Sequence, residues 1–248
     1  IEIENGRWKF GYAAEWKAYA LSPNFPIATG TFEDTADARP VEWFFENLLP
    51  EGRLRDLIAS RDRIDPRDTW ALLIRHGQDT AGALSLIPEG FDVATEEILV
   101  PLAKEALQEK IEESRTRNLP LMASWEEIRM SLAGAQEKLG LRIDASGAMF
   151  LPEGSAPSTH IVKPENASAD FPHCPANEFF CMRLAHELKV PVPAVGLLHL
   201  PEPLYVIERF DRSPLDTGAE KVTGRAFGRL HQIDLCQALG VAPSKKYE

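Results

Sequence analysis

Cysteine is scarce in this chain: Cys174, Cys181 and Cys236 are the three in 248 residues. An odd count without C-x-x-C spacing argues against a disulfide framework and a zinc site, and points to a reducing cytoplasm. His173 beside Cys174 is the one local His/Cys pair, and adjacent residues cannot close a tetrahedral site alone. No apolar run approaches the ~18 residues of a membrane helix, so no membrane partner is expected. The opening IEIENGRWKF lacks the charged-then-apolar layout of a signal peptide. Positive charge is in deficit, with 27 Lys and Arg against 38 Asp and Glu and a net charge of −11. That balance argues against a general nucleic-acid binder, because phosphate contacts need clustered Lys and Arg. One local exception, Arg209, Arg212, Lys221, Arg225 and Arg229, is expected to be a solvated basic face. The P-loop pattern G-x-x-x-x-G-K-[ST] is also missing: Gly134 and Gly140 are too far apart, and Leu141 follows.

What is present is an ordinary globular composition, 44% hydrophobic and 26% charged, in a chain long enough to bury a core without staples. The chain begins at Ile1 rather than Met, so further residues are expected before it. A small N-terminal α/β domain is expected over 1–92, a helical connector over 93–128 and a second unit over 129–248. In VEWFFENLLPEGRLRDLIAS (41–60), Phe44, Leu48 and Leu49 have helical spacing, Pro50-Glu-Gly52 interrupts, and Leu54, Leu57 and Ile58 resume. DTWALLIRH (68–76) is a second helix with Asp68 or Thr69 placed to cap it. AGALSLIPEG (81–90) alternates as a short strand ended by Pro-Glu-Gly. Residues 95–118 carry dense mixed charge with helical apolar spacing, and predict a surface helix broken near Pro101.

The second unit opens on SLAGAQEK (131–138), small residues followed by polar ones. Leu139, Leu141 and Ile143 then alternate as a half-buried strand, and DASG turns the chain back, so 139–151 predicts a hairpin. A small-residue loop before a strand is by itself an ordinary turn as readily as a phosphate cradle. THIVK (159–163) is a short strand with Thr159, Ile161 and Lys163 on one face, stopped by Pro164. ANEFFCMRLAHEL (176–188) predicts an amphipathic helix whose buried stripe is Phe180, Cys181, Leu184, Ala185 and Leu188. Glu178 sits at the edge of that stripe, where a carboxylate needs a partner. It either favours the positive helix N-terminus or pairs with Lys163. PLYVIERFDR (203–212) is an apolar strand through Ile207 that turns polar at Glu208. Loop, hairpin, strand with lysine, helix with glutamate, and strand running into a linker follow the order of a protein-kinase N-lobe.

SLAGAQEK, STHIVK (158–163), ANEFFCMRLA (176–185), ERFDR (208–212) and LHQIDLCQALG (230–240) resemble the HipA toxins, Ser/Thr protein kinases of bacterial toxin–antitoxin pairs. FFENLLPEG (44–52) and AGALSLIPEG resemble the N-terminal domain of the same family. The resemblance implies an α+β chain, a small α/β domain followed by a kinase-like ATP-binding lobe. It implies ATP and Mg²⁺ as cofactors. Ala133, Gly134, Ala135, Gln136, Glu137, Lys138 and Lys163 would meet the phosphates, Glu178 would position Lys163, and Glu208, Arg209 and Phe210 would meet adenine. Ser131 corresponds to an autophosphorylated serine, where a group of about −2 charge would oppose ATP's own phosphates. The usual partner is a helix-turn-helix antitoxin of the HipB type, which brings DNA contact only indirectly, and the usual substrate is an aminoacyl-tRNA synthetase.

The chain departs from the family after LHQIDLCQALG. The stretch from Phe210 to Glu248 is too short for a helical C-lobe, so the catalytic aspartate and the metal ligand are expected downstream of Glu248. HQID (231–234) reads as structural, and Asp211 follows the linker too directly to replace the missing base. The alternative is a catalytically inactive module that binds a nucleotide or a partner.

Overall fold

Trp8 and Phe10 alternate toward the core along β2 (Arg7–Gly11), which pairs antiparallel with β1 (Glu2–Glu4) and β3 (Thr31–Glu33) in a three-stranded sheet. The β1–β2 turn is Asn5-Gly6, both at positive φ (52° and 75°), the backbone that a tight two-residue hairpin requires. The computed structural model describes residues 1–91, 96–117, 121, 134, 136–165, 171–214 and 227–248.

Three helices cover that sheet. α1 (Pro40–Glu46) starts on a proline and is capped from outside, because Asp34 accepts from Val41 N at 2.8 Å and Glu42 N at 3.0 Å. The predicted break at Pro50-Glu-Gly52 separates it from α2 (Gly52–Asp62). α3 (Thr69–His76) is capped by Asp68, whose Oδ1 accepts from Ala71 N at 2.9 Å. Phe25, Phe44, Phe45, Leu48, Leu49 and Leu73 are almost fully buried between helices and sheet. Residues 81–90 form no strand. Thr80 Oγ1 donates to Leu84 O and Leu86 N to Gly77 O, so the segment folds back on the end of α3. Leu84 and Leu86 pack against the aromatic core without a strand partner.

The region expected as a surface helix is instead β4 (Glu97–Leu102) followed by α4 (Lys104–Arg117). β4 is an edge strand, which is where the missing N–H of Pro101 is tolerated. It belongs to a six-stranded antiparallel sheet in the order β4-β6-β5-β7-β9-β8. The predicted hairpin is present as β5 (Leu139–Ile143) and β6 (Met149–Gly154). β7 (His160–Lys163), α5 (Cys174–Glu187), β8 (Val195–Leu200) and β9 (Glu202–Glu208) follow. Leu107 and Ile111 of α4 share a core with Leu139, Leu141, Val162 and Leu204 of the sheet.

α5 is rotated from the expected face. Phe180, Leu184 and Leu188 are 63%, 48% and 69% exposed, Cys181 is exposed as well, and the half-buried stripe is Glu178, Phe179, Met182 and Ala185. Both faces carry apolar residues, so spacing alone could not choose between them. β10 (Arg212–Pro214) and β11 (Phe227–Arg229) form a small ribbon, and α6 (Leu235–Leu239) follows. Asp234 and Gln237 close a capping box at α6, and Gln237 Nε2 donates to Phe44 O at 2.9 Å. His231 Nε2 lies 2.9 Å from Leu21 O. The HQID stretch therefore anchors the C-terminal residues on the N-terminal unit.

Candidate functional site

Lys163 ends β7, and Pro164 then prevents the strand from continuing. Its Nζ lies 2.6 Å from Glu178 Oε2 on the facing stripe of α5. Of the two alternatives open for Glu178, the structure forms the ion pair. Lys163 also stands over the Tyr205 ring, 5.6 Å from its centroid. Burial, with the Glu178 carboxylate nearby, pushes the Tyr205 hydroxyl up to about 12, so it stays protonated at neutral pH.

Lys138 approaches the same corner from the start of β5. It is 8% exposed, and burial together with the charge of Lys163 lowers its ammonium to about 8. Gly134 lies close to Lys138 at φ +103°, and a Cβ there would stand 3.0 Å from Lys138 Nζ. Gly134 also forms a parallel bridge with Pro50 of the N-terminal unit. Glu51, next in sequence, accepts from Lys246 Nζ at 2.8 Å and from Tyr247 OH at 2.9 Å. Burial acts to lower the Lys246 ammonium, but its hydrogen bonds to Glu51 and Asp234 raise it above its usual range.

The other residues expected at the phosphates divide. Gln136 is half-buried at a bend beside Lys138. The Glu137 carboxylate turns toward α4, accepting from Ser114 Oγ at 3.2 Å and from Leu121 N, and burial raises its pKa. Any contact of Glu137 with a ligand at the lysines thus falls to its backbone. Ser131, Ala133 and Ala135 lie outside the described residues.

In the linker, Glu208 and Phe210 are exposed while Arg209, Asp211 and Arg212 are buried. The expected solvated basic face is absent here. Arg209 Nη2 meets Asp211 Oδ2 at 2.6 Å and Thr80 O at 2.9 Å, Arg212 Nη2 meets Asp79 Oδ1 at 2.8 Å, and Arg229 also pairs with Asp79. Lys221 and Arg225 lie outside the described residues. Burial would raise the Asp79 and Asp211 carboxyls, and the surrounding guanidiniums outweigh it and hold both below their usual range. Burial, with Arg209 beside it, lowers Arg212 to about 10. Asp211 is a sequence neighbour of Arg209 and Arg212, whereas Asp79 comes from a distant part of the chain, a pairing with no local sequence signal.

Chemically, this corner offers two ammonium groups and a glycine backbone to a polyanion, beside a strand end leading into an exposed linker. Among the described residues, no group of three or more His, Cys, Asp or Glu could hold a metal ion. No helix among them is long and apolar enough to cross a membrane.

Two family models match the chain, the HipA N-terminal domain over residues 1–87 and the HipA-like C-terminal domain over 130–248. The chain belongs to the HipA family. The Ser/Thr-protein kinase toxin HipA of Shewanella oneidensis is 34% identical over 96% of this chain and 51% of its own length. Y4mE of Sinorhizobium fredii is 36% identical over 96% of this chain and 55% of its own. A solved complex of Shewanella oneidensis HipA, HipB and operator DNA matches with a TM-score of 0.71 at 32% identity, over 96% of this chain and 52% of that one. The chain thus has a HipA-like fold and spans about half the length of these relatives.

Proposed function

We propose that this chain is the ATP-binding half of a cytoplasmic Ser/Thr protein kinase, the toxin of a HipBA-type toxin–antitoxin pair. The Lys163–Glu178 ion pair at 2.6 Å carries the reading, because a lysine fixed at a strand end by a helix carboxylate is the part of a kinase that holds phosphate oxygens. Lys138 and the backbone about Gly134 supply the rest of the cradle, with Ala133, Ala135, Gln136 and Glu137 contributing through the same loop. Glu208 and Phe210 present the linker backbone to adenine. Phosphorylation of Ser131 switches the site off, since the added charge competes with ATP for the same lysines.

Phosphoryl transfer also needs a base to orient the attacking hydroxyl and ligands for Mg²⁺. The described residues supply no cluster for the metal, so no step through Mg²⁺ is assigned to them. The HipB named with the matching structure supports a HipB-type, helix-turn-helix antitoxin as partner, with DNA contacted only through it. An aminoacyl-tRNA synthetase as substrate rests on the family resemblance of the sequence.

The test is a calorimetric titration of the 248-residue chain with ATP, followed by intact mass after incubation with ATP and Mg²⁺. Saturable binding that Lys163→Ala weakens roughly thirtyfold supports the site. A phosphoryl group added to Ser131 supports the switch, whereas binding with no added mass is what a half-site without its base and metal ligands should show. No binding of ATP by the wild-type chain overturns the reading.

A further inference from the structure

The linker is gripped from outside its own unit. Along Glu208-Arg209-Phe210-Asp211-Arg212, two residues face solvent, and the three buried ones are held by residues 79–82, in the segment matched by the N-terminal family model. Arg209 Nη2 donates to Thr80 O at 2.9 Å, Arg212 Nη1 to Gly82 O at 3.0 Å, and Gly82 N to Asp211 Oδ2 at 2.7 Å. Asp79 is the centre of the grip. Its Oδ1 takes Arg212 and Arg229, and its Oδ2 takes Ser158 Oγ at 2.8 Å, while Ser158 Oγ accepts from Arg209 Nη1 at 2.8 Å. Gly82, at φ +77°, lies against the Gln232 backbone, where a Cβ would stand 2.9 Å from Gln232 O.

Charge explains why Asp79 has no substitute. Three arginines share the cluster with two carboxylates, Asp79 and Asp211. Removing Asp79 leaves two buried arginines and the half-buried Arg229 facing one anion, an arrangement that relaxes by moving the arginines apart. Arg209 and Arg212 flank Phe210 in the chain, so their movement displaces the linker backbone first. Lys163 and Glu178 pair with each other, apart from the Asp79 cluster.

We propose that Asp79 is a positioning residue for nucleotide-base recognition: through Arg209 and Arg212, the N-terminal unit sets where the Glu208–Phe210 backbone meets the base. This inference rests on the ATP-site reading above. It assigns the N-terminal unit a direct part in nucleotide selection, so a ligand that shifts residues 79–82 would change affinity for the base and spare the phosphate cradle.

The experiment compares ATP and inorganic tripolyphosphate as ligands of the wild-type chain, Asp79→Asn and Ser158→Ala, with each variant's folding checked by its thermal transition. Asp79→Asn is expected to weaken ATP about tenfold and to leave tripolyphosphate within about twofold, the scale of coupling through a packed network. Ser158→Ala, which removes one neutral hydroxyl, is expected to weaken ATP by a smaller factor with the same selectivity, and it decides the matter if Asp79→Asn does not fold. Equal loss of both ligands in a folded variant means a general structural role and overturns the inference. Unchanged ATP affinity overturns it too, with the ATP site left standing. A wild-type chain that binds tripolyphosphate but not ATP overturns the base-linker reading and this inference together.

Discussion

Lys163 Nζ and Glu178 Oε2 meet at 2.6 Å across the gap between the end of β7 and the second turn of α5. The side chains are 21% and 28% exposed, so the pair is partly shielded from water. The carboxylate fixes the position of the ammonium without burying it.

Lys163→Ala should therefore cost more than Glu178→Gln. A charged hydrogen bond to phosphate contributes about 2 kcal/mol, or roughly thirtyfold in ATP affinity. Glu178→Gln keeps a hydrogen-bonding side chain and should cost only about fivefold by the scale of a half-exposed pair. Calorimetric titration with ATP measures both, and the reverse order would assign Glu178 a direct contact.

Lys138 predicts a pH dependence. Its ammonium is lowered to about 8 in the folded chain from an ordinary 10.5, so the unfolded chain binds more protons between those values. Stability contributed by this group should rise as pH increases from about 8 to 10.5. Polyphosphate favours the charged form, so binding should take up protons near pH 8 and weaken above it. Thermal melts of wild type against Lys138→Met test the first point, and titrations in buffers of different ionisation enthalpy test the second.

Gly134→Ala should disturb the same corner. The φ of +103° is costly for any residue with a Cβ, and that Cβ would stand 3.0 Å from Lys138 Nζ. Strain of this kind is about 1–3 kcal/mol. Moving the flexible ammonium relieves the contact but not the backbone strain, so the variant should bind tripolyphosphate more weakly and also melt lower, by about 2–4 °C per kcal/mol.

His76 contributes to stability on the acid side. It is buried beside Asp62, with Nε2 at 2.6 Å from Oδ2, and burial outweighs that carboxylate and lowers the ring to about 4. The unfolded ring binds its proton near the ordinary 6.5, so stability from this group should fall as pH drops from 6.5 to 4. His76→Gln retains a donor toward Asp62 and cannot titrate. Melting curves across this window should be flatter in the variant.

Much of the site was legible because its parts are local. Lys163 before Pro164, Glu178 early in a helix, and a hairpin after a small-residue loop each follow from neighbours a few residues apart. At residues 97–102 Pro101 resembles a helix break in sequence, although an edge strand accepts it equally well. Asn5-Gly6 carried a hairpin signal that marks β1 and β2. The face of α5 is not legible in sequence, because Phe180 and Leu184 are as apolar as Phe179 and Met182. The sheet and the Lys163 partner chose between them.

By itself the sequence determined the order of helices and strands around the lysine, the turns at proline and glycine, and the family. Those depend on backbone sterics and short-range periodicity, which adjacent residues specify. Tertiary structure alone decided that Asp79 neutralises Arg212 and Arg229, that Pro50 meets Gly134, and that the residues after Leu230 pack on the first unit. Such pairings join residues far apart in the chain. A buried charge needs an opposite charge nearby in space, and nothing in its own sequence neighbourhood says where that partner will come from.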